Sequence, residues 1–519
     1  MGIPIYFKTL VTKYHKDILI PLTTDTSTTD TSTHLQMDIL CLDLNCLIHP
    51  CCREIMKSET PTDESKMIDL IIHKIETLVY LTQVTSTLYI AIDGVAPKAK
   101  MKQQRQRRLI SSYESSVWNT NAISPGTFFM NKLHNSLQQW ANTISKYTII
   151  ISDSNIPGEG EHKILHYIKQ LPPKQETISI YGLDADLIML SMLVNNPQIY
   201  LLREKTEYNI EGCKGDYIYL AIELLQQHII KDITHSHIYP SLSDTQVIND
   251  YIFICFLVGN DFINHSPTLS LRHKALDHLL QTYRTLQKRY QGYFKLIDTE
   301  RNHHILHLTF FKEYIRDLSR LETKILQQNT LNRSKHSKQF LQRYSEEFKE
   351  WSTFISMKDC NLSLKDIYEF QKLYPTDTVK DMMQVLPIMY SHLDTSTRES
   401  YYETTKIDSC HDYMKSLFWT THYYFNECIN WSWCSQCIRA PLLQDFSHYL
   451  DQNDINDAYV DIMKYDKPLD IREQLSYIFP SDSHILHGYK VTYSSIPDDI
   501  CIDISFHKHL WECKLKYSL

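Results

Sequence analysis

Glycine is unusually scarce in this sequence, with 11 glycines among 519 residues. A chain so poor in glycine retains it where the backbone needs a positive φ angle or a very close approach. Only Gly488 follows residue 292. Six of the earlier glycines lie in or beside short, motif-like turns: Gly94, Gly126, Gly158, Gly160, Gly182 and Gly259. We therefore expect the special backbone geometry of the protein within its first 300 residues.

Several other features are also missing. No apolar run reaches the roughly 20 residues that a membrane helix requires, and the opening Met1-Gly2-Ile3-Pro4 does not begin a signal peptide. The 13 cysteines show no disulfide-framework spacing. Cys434 and Cys437 form a lone C-x-x-C without a second half, which we interpret as structural thiols rather than a zinc site. We expect a reducing, intracellular location, either cytoplasm or nucleus.

The charge balance is mildly acidic, with a formal net charge of −8, 43% hydrophobic and 22% charged residues. These values are typical of a soluble globular protein and argue weakly against a general nucleic-acid coat protein. They do not exclude a nuclease, because a metal-binding acid cluster offsets a local basic patch in the total. The length predicts two or three domains. A polar, charged stretch places a boundary near 330–350, giving an N-terminal domain 1–330 and a C-terminal region 331–519.

Acidic residues recur at the ends of predicted strands. Asp43, Asp93 and Asp184 each follow an apolar strand-like run, and two turns carry paired carboxylates, Glu159 with Glu161 and Asp184 with Asp186. Strands and helices alternate to about residue 205, which predicts a mostly parallel α/β sheet. A fifth strand-like segment, Y-I-F-I-C-F-L-V-G-N-D-F, would deliver Asp261 to the same edge.

Carboxylates gathered at one edge of a sheet repel one another unless a cation joins them. Oxygen-only clusters suit Mg²⁺ or Mn²⁺, and a metal pair is the usual apparatus for cleaving phosphodiesters. The alternative is that each acidic turn simply caps a helix. Asp153 also ends a strand, but its turn continues to the glutamates, and we interpret it as structural.

A basic segment follows Asp93 directly. On a helix, its residues Lys100, Gln104, Arg107 and Arg108 fall at i, i+4, i+7 and i+8, on one face of hydrogen-bond donors. Such a face suits a phosphate beside the metal site. A solvated face or an unspecific nucleic-acid patch is the competing interpretation.

Further segments have a simpler interpretation. Residues 4–20 are amphipathic, 22–34 form a polar loop, 65–82 a helix and 295–350 a charged helical region. The C-terminal stretch L-F-W-T-T-H-Y-Y-F-N-E-C-I-N-W-S-W is dense in aromatic residues. Such density is more often core than a surface for base stacking.

In order and spacing, these motifs resemble the XRN family of 5′→3′ exoribonucleases, which digest RNA bearing a 5′-monophosphate. The matching stretches include L-D-L-N-C-L-I-H, I-D-G-V-A-P-K-A-K-M-K-Q-Q-R-Q-R-R, P-G-E-G-E-H-K-I, Y-G-L-D-A-D-L-I-M-L, L-L-R-E, C-F-L-V-G-N-D-F and W-S-W. Essentially the whole chain is covered, without the long C-terminal extensions of the larger members. The implied fold is an α/β nuclease domain of the PIN/flap-nuclease type, a mostly parallel sheet flanked by helices, with a mainly helical C-terminal region packed on it.

The resemblance also implies residue roles. Seven acids match the family's metal site: Asp43, Asp93, Glu159, Glu161, Asp184, Asp186 and Asp261. Four residues match its 5′-phosphate pocket: Lys100, Gln104, Arg107 and Arg108. His49 matches a histidine that stacks on the 5′-terminal base, with Trp431 or Trp433 as its partner. This implication favours stacking over core for that aromatic segment.

The resemblance predicts a processive, Mg²⁺-dependent enzyme (Mn²⁺ as a substitute) that degrades single-stranded 5′-monophosphorylated RNA to mononucleotides. Two departures stand out: Cys46 replaces a glycine after L-D-L-N, and C-S-Q-C-I-R-A-P replaces an aromatic run after W-S-W. The alternatives are a structure-specific DNA flap nuclease and a non-catalytic RNA-binding scaffold. Scarce glycine and compact size are compatible with an AT-rich genome such as that of a large virus.

Overall fold

The computed structural model describes residues 3, 5–22, 35–58, 63–113, 118–172, 176–194, 198–205, 216–234, 241–300, 303–329, 331–332, 353, 401–402, 408–480, 485–492, 502–503 and 514–515. These residues form two compact units. The first is drawn from Met1–Met101, Ser115–Ile252 and Asp466–Tyr493, and the second from Lys102–Glu114, Phe253–Tyr465 and Ser494–Leu519. The predicted polar loop after Leu22 lies outside the described residues, as does the predicted boundary near 330–350 apart from residues 331–332. The domain limits therefore stay a prediction.

The first unit is built on a seven-stranded sheet of order β1-β7-β6-β5-β2-β3-β4. Its strands are β1 (Leu19–Leu22), β2 (Ile39–Asp43), β3 (Thr87–Ala91), β4 (Thr148–Ser152), β5 (Ile178–Tyr181), β6 (Ile199–Glu204) and β7 (Tyr217–Ala221). Strands β6, β5, β2, β3 and β4 run parallel, whereas β7 is antiparallel to β6 and β1 is antiparallel to β7. The mostly parallel α/β sheet predicted from the sequence is therefore confirmed.

Helices connect these strands and continue beyond them. In chain order they are α1 (Tyr6–Ile18), α2 (Asn45–Ser58), α3 (Glu64–Thr82), α4 (Lys98–Tyr113), α5 (Phe128–Ala141), α6 (Gly160–Gln170), α7 (Ala185–Met192), α8 (Ile222–Thr234) and α9 (Asp244–Phe256). The predicted helix at 65–82 is confirmed by α3, and the predicted basic helix by α4. Among the described residues, no helix has both the length and the apolar character needed to cross a membrane.

Both faces of the central strands are covered because their side chains are apolar on both sides. Leu40 and Leu42 of β2 join a core with residues of α2, α3 and α5. On the opposite face Tyr89 of β3 stacks on Tyr167 of α6, with ring centroids 4.2 Å apart. This two-sided burial explains why the strands read as continuous apolar runs.

The second unit is mainly helical, as expected for the C-terminal region. It contains α10 (Ala275–Arg289), α11 (Leu308–Ser319), α12 (Ser409–Phe425), α13 (Leu443–Gln452) and α14 (Asn456–Ile462), while α15 (Ile471–Ile478) belongs to the first unit. Its described residues also form two small antiparallel pairs, β8 (Ile297–Glu300) with β9 (His303–Leu306) and β10 (Ile502–Asp503) with β11 (Lys514–Leu515).

Two of the predicted elements are wrong. The segment before Asp261 is not a strand, because residues up to Phe256 form α9. A continuous apolar run does not separate a buried strand from a buried helix, and Ile252 to Cys255 are all buried. The start of the predicted helical region 295–350 is also different. The hairpin of β8 and β9 occupies Ile297–Leu306 before helix α11 begins.

Candidate active site

The carboxyl ends of the parallel strands are aligned by the sheet register. Asp43, the last residue of β2, pairs with Ala91 of β3, and Ala91 in turn pairs with Ser152 of β4. Leu42 pairs with Tyr181, the last residue of β5. Because all these strands run in one direction, the segments that leave them start from one edge.

Six of the seven predicted metal-site acids leave that edge within the first unit. Glu159 and Asp184 are the N-cap residues of α6 and α7, and Glu161 and Asp186 lie in the first turns of those helices. Neither N-cap side chain makes a capping hydrogen bond. Helix capping, the competing explanation of these acidic turns, therefore does not account for Glu159 or Asp184.

Backbone contacts fix the turns that carry the acids. The turn after β3 is joined to the one after β4 by Gly94 N–H donating to Gly158 O at 2.9 Å and by Gly158 N–H donating to Val95 O at 2.8 Å. A Cβ atom on Gly94 would lie 1.9 Å from the carbonyl oxygen of Ile156. Gly158 itself has a φ of 109°, a region that favours glycine.

Asp93 is held at this junction by two donors. The Gly160 N–H donates to its Oδ1 at 2.7 Å, and the Asn45 side-chain amide donates to its Oδ2 at 2.8 Å. A Cβ on Gly160 would lie 2.7 Å from Oδ1 of Asp43 and 3.5 Å from Oδ1 of Asp93. The absence of a side chain at Gly160 thus lets helix α6 approach both carboxylates.

Burial and mutual repulsion make the charged state of these acids costly. The pKa of Asp43 is raised well above its ordinary value by burial and then by the charges of Asp93 and Asp184. The pKa of Glu161 is raised well above its ordinary value by burial and by Asp186, and Lys100 acts in the opposite direction. Both groups need additional positive charge nearby to remain ionised.

Among the described residues of the first unit, three basic side chains approach the cluster. Lys100 Nζ pairs with Glu159 Oε2 at 2.5 Å. Lys163 Nζ donates to the carbonyls of Ile92 at 2.7 Å and Asp153 at 2.8 Å, and burial lowers the pKa of Lys163 to about 8. Arg203 Nη2 donates to the carbonyl of Leu183 at 2.5 Å, next to Asp184. Two of these three cations therefore bind backbone carbonyls rather than carboxylates.

The donor set fits a divalent metal ion. All six acids offer oxygen ligands, the preference of hard cations such as Mg²⁺. Oδ1 of Asp43 and Oε2 of Glu161 are buried and have no hydrogen-bond partner. A buried acceptor without a donor is rare unless a water or an ion completes it. The cluster is thus consistent with divalent metal use.

His162 is a candidate that the sequence analysis did not select. Its ring and the carboxylates of Glu159 and Glu161 place one ligand atom each within 4.8 Å of one another. Burial, followed by Lys100 and Lys169, lowers the pKa of His162 to about 3, so that the ring is neutral at physiological pH. The position of His162 directly after Glu161 in the P-G-E-G-E-H-K motif is the sequence feature from which it could have been selected.

The remaining predicted residues lie in the second unit or apart from the acids. Gln104, Arg107 and Arg108 lie on α4 with Lys100, as the spacing predicted. Asp261 is buried and accepts a hydrogen bond from the side-chain amide of Gln103. His49 lies in α2 of the first unit.

Trp431 and Trp433 are both half-buried in the second unit. Trp433 stacks against the buried Trp419, with ring centroids 5.6 Å apart and 28° between the planes. Asp153, interpreted as structural, accepts hydrogen bonds from the N–H and the side chain of Asn155 at 3.0 Å and pairs with His134 at 2.9 Å.

This chain is similar to known proteins along most of its length. Residues 1–117 and 110–205 match the model described as XRN 5'-3' exonuclease N-terminus, and residues 242–368 match the Xrn1 helical domain. A 5'-3' exoribonuclease 2 homolog of Drosophila melanogaster is 24% identical over 99% of this chain and 69% of its own length. The 5'-3' exoribonuclease 2 of Cryptococcus neoformans is 31% identical over 54% of this chain and 31% of its own. That of Debaryomyces hansenii is 28% identical over 56% and 36%.

The match to the two fungal enzymes covers about a third of their length. Among solved structures, the catalytic core of Rad2 in complex with DNA substrate covers 50% of this chain at 14% identity with a TM-score of 0.29. A score of that size supports no conclusion about the fold, which rests on the sheet described above. The matches to both family regions, in the order found along this chain, show that it belongs to the XRN family of 5′→3′ exoribonucleases.

Proposed function

We propose that this chain is a processive, Mg²⁺-dependent 5′→3′ exoribonuclease that degrades single-stranded RNA with a 5′-monophosphate to mononucleotides. The observation that carries the proposal is the group of six carboxylates at one sheet edge, of which Asp43 and Glu161 each have a buried oxygen without a partner. Family membership supplies the reaction class.

The carboxylates of this edge would hold two or more divalent ions, and the family resemblance adds Asp261 to this set of ligands. Bound there, such ions supply the positive charge that favours attack on phosphorus and departure of the leaving oxygen. The protein contributes the fixed positions of the ligands. Asn45 and the Gly160 N–H hold Asp93 in place, and Lys163 holds the backbone at the ends of β3 and β4.

Helix α4 would bind the 5′ end of the RNA. Gln104, Arg107 and Arg108 offer amide and guanidinium donors on one face, and guanidinium groups match a phosphate dianion with paired hydrogen bonds. Nε and Nη2 of Arg107 are buried without a hydrogen-bond partner. Such donors gain most from an anionic ligand. Lys100 would join them while remaining close to Glu159.

His49 and one of the tryptophans of W-S-W would position the first bases by stacking, a contact worth roughly 1–3 kcal/mol per base. Stacking tolerates any base, which suits an enzyme that moves along RNA without regard to sequence. Trp433 also stacks on Trp419, and both tryptophans stay candidates for the stacking role.

The test is a digestion series with purified protein. Single-stranded RNAs of one sequence would carry a 5′-monophosphate, a 5′-triphosphate or a 5′-hydroxyl, and a DNA flap substrate would be included. We expect rapid loss of the monophosphate RNA with Mg²⁺ and none after chelation with EDTA. Equal digestion of all three RNAs would overturn the end specificity, and preferred cleavage of the flap would favour a DNA nuclease instead.

A further inference from the structure

The turn Cys434–Cys437 is held from two sides by groups of opposite charge within the second unit. Asp412 of α12, which is 5% exposed, accepts hydrogen bonds from the N–H of Gln436 and the N–H of Cys437, both at 3.1 Å. It also accepts one from the Ser435 hydroxyl at 2.6 Å. Lys102 Nζ donates to the carbonyl of Ser435 at 2.7 Å and reaches that of Cys437 at 3.5 Å.

The helix that carries Lys102 and the turn that it contacts both adjoin residues of the proposed RNA site. Lys102 lies on α4, two residues before Gln104 of the phosphate-binding face. The turn itself directly follows Trp433 of W-S-W. Asp412 and Trp419 are seven residues apart on α12, on one face of that helix, and Trp419 stacks on Trp433. One helix therefore supports both the aromatic segment and the turn that follows it.

A second chain of contacts returns to α4. Trp419 contacts Phe262, with ring centroids 5.1 Å apart. Phe262 follows Asp261, which accepts a hydrogen bond from Gln103, the neighbour of Lys102 on α4. The contacts form a closed circuit from α4 through Asp261, the aromatic rings and the turn back to α4.

We propose that Asp412 and Lys102 are positioning residues for recognition of the RNA 5′ end. Together they lock the Cys434–Cys437 turn against α4 and so fix W-S-W relative to the basic face. The inference rests on the proposed function. It concerns a stretch in which this chain departs from its family, where C-S-Q-C-I-R-A-P replaces an aromatic run.

Whether a substitution weakens or strengthens RNA binding distinguishes a positioning role from a direct electrostatic effect. Lys102 is a cation on the same helix as the basic face but on the other side of that helix, and loss of its charge would by itself weaken RNA binding. Asp412 is a buried anion that cannot reach RNA. Removing its negative charge would, by electrostatics alone, strengthen RNA binding. Positioning predicts the opposite, a weakening, for both residues.

The experiment compares Lys102→Met, Lys102→Arg and Asp412→Asn with the wild type, measuring kcat, KM and the melting temperature. The substrates are 5′-monophosphate and 5′-hydroxyl RNA. We expect Lys102→Met and Asp412→Asn each to raise KM for the monophosphate RNA about tenfold, with kcat within about twofold, and to narrow the preference for that end. Lys102→Arg should retain most of the wild-type preference for the monophosphate end. The double variant should lose less than the sum of the two single losses, since both act on one turn.

Glu322 provides a matched control. It is another fully buried acid of the second unit, and it accepts the N–H of Leu443 and of Gln444 and a hydroxyl hydrogen bond from Thr268. Glu322→Gln should lower the melting temperature and leave KM and the end preference unchanged.

Several results would overturn the inference. They are unchanged KM and preference in Lys102→Met, tighter RNA binding by Asp412→Asn, or the same shifts in Glu322→Gln. If Asp412→Asn does not fold, the comparison of Lys102→Met with Lys102→Arg decides. A failure of the proposed function itself is visible beforehand, as a wild-type enzyme without a preference for the 5′-monophosphate.

Discussion

The backbone N–H of Gly160 donates to Oδ1 of Asp93 across 2.7 Å. This hydrogen bond joins the first residue of α6, the helix that follows β4, to the segment that follows β3. The Asp93 carboxylate therefore links the segments that leave two neighbouring strands of the sheet. The site has no room for a side chain at Gly160, because a Cβ atom there would lie only 2.7 Å from Oδ1 of Asp43.

Gly160→Ala should therefore impair activity more than stability. The added methyl group pushes the carboxylates of Asp43 and Asp93 apart, and a displacement on the order of 1 Å in an active site can cost about a hundredfold in rate. We expect a tenfold to hundredfold loss of RNA turnover. Gly488→Ala is the control, because its Cβ would meet Phe128 at an ordinary 3.4 Å. Equal activity of the two variants would contradict the crowded-site interpretation.

Asp186→Asn should abolish catalysis while RNA binding survives. The change removes a charged oxygen ligand but keeps the shape of the side chain, and ion binding supplies several kcal/mol of transition-state stabilisation. We expect turnover to fall by about a hundredfold or more. The melting temperature of the wild type should rise with added Mg²⁺ or Mn²⁺, by linkage to ion binding. That rise should shrink in the variant.

Asp153→Asn is the companion to this experiment. Its carboxylate contacts Asn155 and His134 rather than the acid cluster's unpartnered oxygens. It should lower stability while retaining the Mg²⁺-dependent rise in melting temperature. A variant of Asp186 that keeps near-wild-type turnover would remove that residue from the metal site.

Arg108→Ala should erase most of the preference for a 5′-monophosphate. Loss of one guanidinium from a charged phosphate contact costs about 1.5–3 kcal/mol, or roughly a tenfold to hundredfold rise in KM for that end. Lys98→Ala removes one positive charge from the same helix outside the four-residue face, where Lys98 lies over the ring of Tyr477. If both variants reduce cleavage of all RNAs equally, α4 is a general basic patch.

His49→Ala and substitution of the stacking tryptophan, Trp431→Ala or Trp433→Ala, should keep the melting temperature and lose roughly tenfold to hundredfold in single-turnover decay. Trp433 stacks on the buried Trp419. A core role for either tryptophan would instead lower the unfolding free energy by several kcal/mol, as large-to-small core changes do. Collapsed stability in both tryptophan variants would return the segment to the core.

His422 should make folding stability depend on pH. Burial, with a contribution from His303, lowers the pKa of His422 from 6.5 to about 4. Between these values the unfolded chain binds a proton that the folded chain does not. Stability is therefore fully present above about pH 6.5 and is lost as the pH falls toward 4.

The loss from this group is on the order of 3 kcal/mol, at 1.36 kcal/mol per pKa unit. Denaturant unfolding of the wild type and His422→Gln at pH 7 and pH 4.5 measures it. The stability difference between these two pH values should be smaller in the variant, since the carboxylates contribute equally to both proteins. Identical pH dependence in the two proteins would show that His422 does not titrate as stated.

The sequence alone determined the acid-bearing edge and the basic helix. Asp43, Asp93 and Asp184 follow apolar runs that alternate with helices, and parallel strands leave their carboxyl ends at one edge whatever the remaining topology. The face of Lys100, Gln104, Arg107 and Arg108 followed from the 3.6-residue period within one helix. Both inferences use only local periodicity and strand direction, which the order of residues fixes.

Tertiary structure decided what depends on long-range contacts. The apolar run of Tyr251–Phe256 forms the end of a helix and not a strand, because its pattern fits both and only its surroundings select one. No local signal pairs Lys100 with Glu159 or places Asp412 on the turn after Trp433, since these partners come together only on folding. Packing also gave Trp433 a ring partner in Trp419, a contact between distant residues that the W-S-W motif by itself does not reveal.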